Sequence, residues 1–363
     1  MKKKSTLRSR SNLGVSICVV LCAIPLPAHA DTITVTNTDD NGPGSVRQAL
    51  LDANDGDTIN FAVTGTIGLT SGELLVAKNI TISGPGARNL AIDGNAKNCV
   101  FHIASGETVT ISALSIVNGH TTGSGGGIHS DHATLTLNNC TISGNSGGGI
   151  ATLQITDSTL SNNYSGSAIN SHGFLCIFCG QGTATVQITN SSITDNQDDA
   201  IYSDTGIRCC PTTVSIANST ISGNAGTAIY NSTLASTAMS NSTISGNGGG
   251  IYNNAGSTGS SISSSTLSNN GTEMSSDGPP TLSMENTIFK VSPDGHSIRN
   301  NGGTVHSFGY NLSSDDGGGY LIGPGPLQDN GGPTFTHALL PGSLAINAGD
   351  PNFVLPPDYD QRG

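Results

Sequence analysis

The sequence predicts an all-β protein: a right-handed parallel β-helix solenoid with a short N-terminal capping helix. Three observations predict it. A seven-residue motif recurs six times with Asn three places after an aliphatic residue. Short alternating runs precede the copies, and the spacing between copies varies while the motif does not. Stacked units with a constant core and variable loops produce this pattern.

The copies are Asn139-Cys-Thr-Ile142-Ser-Gly-Asn145, Asp157-Ser-Thr-Leu160-Ser-Asn-Asn163, Asn190-Ser-Ser-Ile193-Thr-Asp-Asn196, Asn218-Ser-Thr-Ile221-Ser-Gly-Asn224, Asn241-Ser-Thr-Ile244-Ser-Gly-Asn247 and Ser264-Ser-Thr-Leu267-Ser-Asn-Asn270. A degenerate copy, read with its aliphatic at Ile288, loses the final Asn. Alternating segments such as Thr134-Leu-Thr-Leu137 precede the motif and Gly-rich-to-Ile segments usually follow it, so three short strands per unit are expected. One rung cannot bury its own Ile and Leu. Stacking rungs about 4.8 Å apart pairs the strands in parallel and joins the aliphatics in one core. The recurrent Asn145, Asn163, Asn196, Asn224, Asn247 and Asn270 are expected at a corner, taking a left-handed conformation and hydrogen-bonding the neighbouring rung.

The chain opens as a secretory signal peptide over residues 1–30, with Lys2, Lys3, Lys4, Arg8 and Arg10 ahead of an apolar stretch and the triplet Ala28-His29-Ala30. That stretch is too short for a permanent membrane span, so a secreted or cell-surface protein beginning at Asp31 is expected. Loss of those five basic residues leaves eight Lys and Arg against 25 Asp and Glu, moving net charge from −12 to −17. Such a field opposes nucleic acid and anionic lipid. Residues 31–289 read as the β-helix with its N-terminal cap. In that cap Ser45 and Gln48 form a capping-box pattern, and Val46, Ala49, Leu50 and Ala53 form the apolar face of a helix ending near Gly56. Residues 290–363 are expected to finish or cover the C-terminal end.

Two resemblances follow from these motifs. The Ile-x-x-Asn and Gly-Gly-Gly-Ile pairing, as in Ile142/Asn145 followed by residues 147–150, is similar to the repeats of polymorphic outer-membrane proteins. The segment Gly325-Pro-Leu-Gln-Asp-Asn-Gly-Gly-Pro-Thr-Phe-Thr-His-Ala-Leu-Leu-Pro-Gly, continuing to Asp350 and with Asp360-Gln-Arg-Gly363, resembles the end of bacterial choice-of-anchor Q β-helix proteins. The run Asn41-Gly-Pro-Gly-Ser-Val-Arg-Gln-Ala-Leu-Leu-Asp is similar to the N-terminal cap of the same proteins. The resemblance implies a secreted or surface-attached, pectin-lyase-like β-helix, and no settled catalytic residues.

Departures from the repeat are where function is expected. Cys176 and Cys179 follow Ile169, and Cys209 and Cys210 follow Ile201, so stacking sets the two loops side by side. In an exported protein this favours disulfides, with a four-Cys zinc site as the sharper alternative. Cys140 occupies the Ser slot of the repeat and Cys99 a β-like run; packed thiols or a further bridge both fit. Tyr202, Tyr230 and Tyr252 follow the inward aliphatic of successive copies and should stack outside, as scaffold or as a platform for sugar rings.

Asp195, Asp198 and Asp199 cluster in one rung, and Asp204 follows at the next corner. They are solvated turn acids, Ca²⁺ ligands, or, for the first three, catalytic carboxylates. His120, His129, Asp131 and His132 are weighed as metal ligands against polar loop residues. Gly295-His296-Ser297 with Arg299 only faintly echoes a polygalacturonase set. No cofactor is expected apart from Ca²⁺. The expected function is a non-enzymatic, adhesin-like or glycan-binding scaffold with extracellular glycans or surface proteins as partners. A polysaccharide lyase or glycoside hydrolase is the alternative.

Overall fold

The structure, a computed structural model, describes residues 30–122, 125–147, 150–172, 184–204, 211–290, 296–314, 324–351 and 360–362. The leader and all four loop cysteines, Cys176, Cys179, Cys209 and Cys210, lie outside the described residues. Among those residues the chain forms a parallel β-helix. One sheet of fourteen strands runs from Thr32–Val35 to Thr304–Ser307, and a second of eleven from Gly65–Gly68 to Leu312–Ser313. A third of six strands begins at Ile169–His172 and ends at His296–Asn301. No described helix is long and apolar enough to cross a membrane.

The motif anchors align rung upon rung: Ile142, Leu160, Ile193, Ile221, Ile244 and Leu267 are consecutive register partners, and all are buried. Leu153, Val186 and Val214 form another buried column in the longest sheet. Each such side chain stabilises the fold by about 1.5–3 kcal/mol relative to exposure. The degenerate copy is read one residue out of place in the sequence. Leu267 pairs with Phe289, not Ile288, and Phe289 is buried while Ile288 is half-buried. A one-residue slip would turn the whole strand inside out, and the larger apolar ring takes the core slot.

The Asn ladder is continuous. The backbone N–H and Nδ2 of each Asn from Asn145 to Asn247 donate to Oδ1 of the next, as Asn196 does to Asn224 at 3.1 and 2.7 Å. Nδ2 also donates backward to the preceding aliphatic carbonyl, as from Asn224 to Ile193 at 3.1 Å. The left-handed conformation, however, belongs to the residue before each ladder Asn: Gly144, Asn162, Asp195, Gly223, Gly246 and Asn269 all have φ between 55° and 66°. The ladder Asn must keep ordinary backbone geometry to aim its amide along the solenoid, so its neighbour makes the turn.

A parallel ladder of hydroxyls runs through the Ser slot. Cys140 N–H donates to Ser158 Oγ, and the relay continues through Ser191, Ser219, Ser242 and Ser265. Cys140 and Cys99 are both buried free thiols.

The helix Val46–Asp52 closes the first rung with Val46, Ala49 and Leu50 in the common core. Only half of the expected capping box forms. Ser45 Oγ accepts from Gln48 N–H at 3.2 Å, but Gln48 Nε2 donates forward to Asp52 at 2.8 Å. Asp40 pins this cap, pairing with Arg47 at 2.7 Å and accepting from Thr70 and Ser71 N–H.

The C-terminal segment lies along the flank of the second sheet. Its hairpin, Pro324–Gln328 with Thr336–Leu339, is the one antiparallel pair among the described strands. His337 Nε2 meets Ser245 Oγ at 2.9 Å, and buried Gln361 Nε2 donates to Thr220 Oγ1 at 2.8 Å.

Candidate functional site

The Tyr column forms because Ile201, Ile229 and Ile251 point into the core and their neighbours point out. Tyr202, Tyr230 and Tyr252 are register partners, with ring centroids 5.1 and 4.8 Å apart. In such a stack the faces of Tyr230 are covered on both sides. The column is therefore a poor platform along its length, and sugar-binding faces remain only at its ends.

At the C-terminal end the next partner of Tyr252 is Ser275, and the one after that is Arg299. The small side chain interrupts the column and opens a groove of about 340 Å³, lined by Tyr252, Ser275, Asp277, Arg299 and Asn301. Thr227, Thr272 and a set of glycines that includes Gly248 and Gly250 complete the lining. A Cβ on Gly248 or Gly250 would stand 2.2 or 2.1 Å from a carbonyl oxygen of the adjoining rung, so neither position can carry a side chain.

Asp277 organises the groove. Tyr252 OH donates to its Oδ2 at 2.6 Å and Asn301 Nδ2 to its Oδ1 at 2.7 Å. The bond from Tyr252, then that from Asn301, holds the Asp277 carboxyl below its usual range, so it is ionised at neutral pH. The same bond pushes the Tyr252 phenol up to about 12. Arg299 is exposed and close enough to act on Asp277 electrostatically. An aromatic face, an anchored acceptor and a guanidinium thus share one notch.

The acidic corner is not brought together as a metal site: among the described residues no group of three or more His, Cys, Asp or Glu is placed to hold an ion. Asp195 supplies the left-handed corner residue. Asp198 accepts from the N–H of Asp199 at 2.9 Å, and Asp199 from Thr227 N–H on the next rung at 2.6 Å. Burial pushes the Asp199 carboxyl up, with Asp198 adding to it. Asp204 is the strand-register partner of His172, ahead of the second Cys loop. Asp195, Asp198 and Asp199 thus form no metal-holding cluster, and the carboxyls of Asp198 and Asp199 accept from backbone N–H groups at the corner.

His129 packs edge-on against His102, 4.9 Å between centroids, and His102 pairs with Glu73 at 2.7 Å. His120 instead bridges to Ser146. The side chains of Asp131 and His132 lie outside the described residues.

For the cysteine loops, Ile169 pairs with Ile201 before them and Ala184 with Thr212 after them, so their ends start and finish on adjacent rungs. Sequence reasoning missed Ser275, Asp277 and Asn301. Following the Tyr slot one rung further, to Met274-Ser275, would have found the interruption. It also missed a short buried amide pair beneath the column, where Asn231 Nδ2 donates to Asn253 Oδ1 at 2.8 Å.

A family model described as "Right handed beta helix region" matches residues 175–325. No curated protein matches the chain. Among solved structures, an alginate lyase from Paenibacillus sp. str. FPU-7 superposes with a TM-score of 0.50 at 15% identity, covering 75% of this chain and 99% of that one. A pectate lyase superposes at 0.47 and 15% identity, covering 79% and 80%. The mannuronan C-5 epimerase module from Azotobacter vinelandii gives 0.44 and 15%, covering 77% and 90%. At such identity the likeness concerns the fold alone: a right-handed β-helix shared with polysaccharide-active proteins.

Proposed function

We propose that the chain is exported and acts outside the cell, secreted or at the surface, as a non-enzymatic β-helix that binds glycans. The observation that carries this reading is the Tyr column ending in an open, polar notch between Tyr252 and Arg299. Aromatic faces beside fixed hydrogen-bonding groups suit sugar rings, which carry an apolar C–H face and a rim of hydroxyls. The leader, and the resemblance of residues 325–363 to choice-of-anchor Q proteins, support export.

A second reading is a polysaccharide lyase or glycoside hydrolase. It draws on Asp199, half-buried with a raised carboxyl pKa as general acids require, and bonded to Thr227 at the groove's edge. A polysaccharide panel assayed for both binding and turnover, with and without Ca²⁺, separates the two. Binding without turnover is the expected result. Turnover abolished by Asp198→Ala with Asp199→Ala would overturn the scaffold reading, and neither binding nor turnover would leave a passive stalk.

A further inference from the structure

Resting on the glycan-binding reading above, we propose that the notch between Tyr252 and Arg299 holds one neutral hexose ring at the end of a chain that enters across the solenoid axis. The spacing sets the first part. Tyr252, Ser275 and Arg299 occupy successive rungs of one column, so the flanking side chains stand two rung steps apart, about 9.6 Å at 4.8 Å per step. Atoms in van der Waals contact need about 3.5–4 Å on each side, which leaves room for a single puckered ring between phenol and guanidinium. Ser275 is what makes the room.

Direction follows from the same walls. A chain lying along the axis would have to climb over the Tyr252 ring at one side and Arg299 at the other. A terminal ring inserted edge-on between them meets neither obstacle, and its chain then leaves across the rungs. Glycosidic links leaving both faces of the inserted ring would run into Tyr252 on one side and Arg299 on the other.

Charge selects against acidic sugars. Asp277 is ionised and held by Tyr252 and Asn301, so it cancels Arg299 within the notch. Beyond it stands a chain with 25 Asp and Glu against 13 Lys and Arg even before its basic leader is removed. A uronate would find one guanidinium already shared with a carboxylate, in an unfavourable long-range field. A neutral vicinal diol, by contrast, can donate to free lone pairs of Asp277 and accept from Arg299.

The test is calorimetric titration of the full mature chain with di- to hexasaccharides of glucose, mannose and galactose, beside uronate oligomers of matched length. The comparison variant is Ser275→Tyr, which extends the existing column and fills the notch; melting curves establish that it folds. We expect neutral oligomers to bind, uronates to bind at least about tenfold more weakly, and Ser275→Tyr to weaken neutral binding by at least about tenfold. Affinity should be level beyond the disaccharide. Equal or tighter uronate binding, affinity climbing with every added unit, or binding untouched in a folded Ser275→Tyr protein would each overturn the notch while leaving a glycan-binding scaffold. Wild-type protein that binds no glycan of either kind would overturn that broader reading, and the notch with it.

Discussion

The carboxyl group of Glu273 accepts twice from Asn270: the backbone N–H donates to Oε1 at 3.2 Å and Nδ2 to Oε2. Asn270 is the last of the six ladder amides, and Glu273, fully buried, supplies the acceptors that a seventh Asn would have provided. Glu273→Gln would turn an amide donor toward one of these donors and leave it unsatisfied. A loss of about 1–3 kcal/mol is expected, read as a lower midpoint in denaturant. An unchanged midpoint would mean that the ladder needs no terminator.

Inside the ladder the cost should be larger. Asn224→Ala removes the acceptor of two Asn196 donors and the donor to Ile193 carbonyl in one step. With several buried groups orphaned, about 2–4 kcal/mol of destabilisation is expected. Asn241→Ala, at the half-buried outer Asn of the next rung, should cost less than half as much in the same melts.

Asp40 makes the N-terminal cap acid-sensitive. Burial alone would raise its carboxyl pKa, but Arg47, Thr70 and Ser71 together hold it well below the usual range. A depressed folded pKa gives stability that is present above the unfolded value near 3.9 and is lost as pH falls through the folded one. Asp40→Asn should remove about 1–3 kcal/mol at pH 7 and flatten the dependence below pH 4. Hydrogen exchange of the helix Val46–Asp52 at pH 7 and pH 3 reads both effects.

The two interior thiols should be inert in the native state. Burial pushes Cys99 up to about 12 and raises Cys140 as well, so neither forms the reactive thiolate near neutral pH. Ellman's reagent should find both only after denaturation. Mass mapping of the same protein without reductant is expected to show Cys176, Cys179, Cys209 and Cys210 bridged; four free thiols there would refute the expectation.

The flank strap should release with acid or with loss of one amide. Gln361 accepts from Thr243 Oγ1 at 2.9 Å and donates to Thr334 Oγ1 at 2.7 Å, tying strap to sheet. Gln361→Ala is expected to raise the rate of proteolysis within residues 324–362 several-fold. Burial lowers the pKa of His337, so its contribution is present above the unfolded value near 6.5 and declines as pH falls below it. Limited proteolysis at pH 7.5 and pH 5 should show the strap cut faster at the lower pH.

Much of the solenoid was legible because its signals are local. Ile142, Leu160, Ile193, Ile221, Ile244 and Leu267 repeat at a constant offset from Asn, and a core position in one rung is a core position in all. Where the pattern decayed, local reading slipped: Ile288 and Phe289 are both apolar, and only strand pairing chose between them. The capping helix was legible from Ser45 and its apolar period, but not the direction in which Gln48 would turn.

The sequence by itself determined the stacked β architecture, the inward aliphatics and the outward Tyr column, because each follows from a period of two along strands and a recurring unit between them. Tertiary structure alone decided that Asp195, Asp198 and Asp199 form no metal-holding cluster, that the Tyr faces cover one another, and that Tyr252, Asp277, Arg299 and Asn301 line one notch. Those residues lie 23 to 25 positions from their partners in neighbouring rungs. Loop length sets which residue meets which across a rung, and loop length here obeys no period.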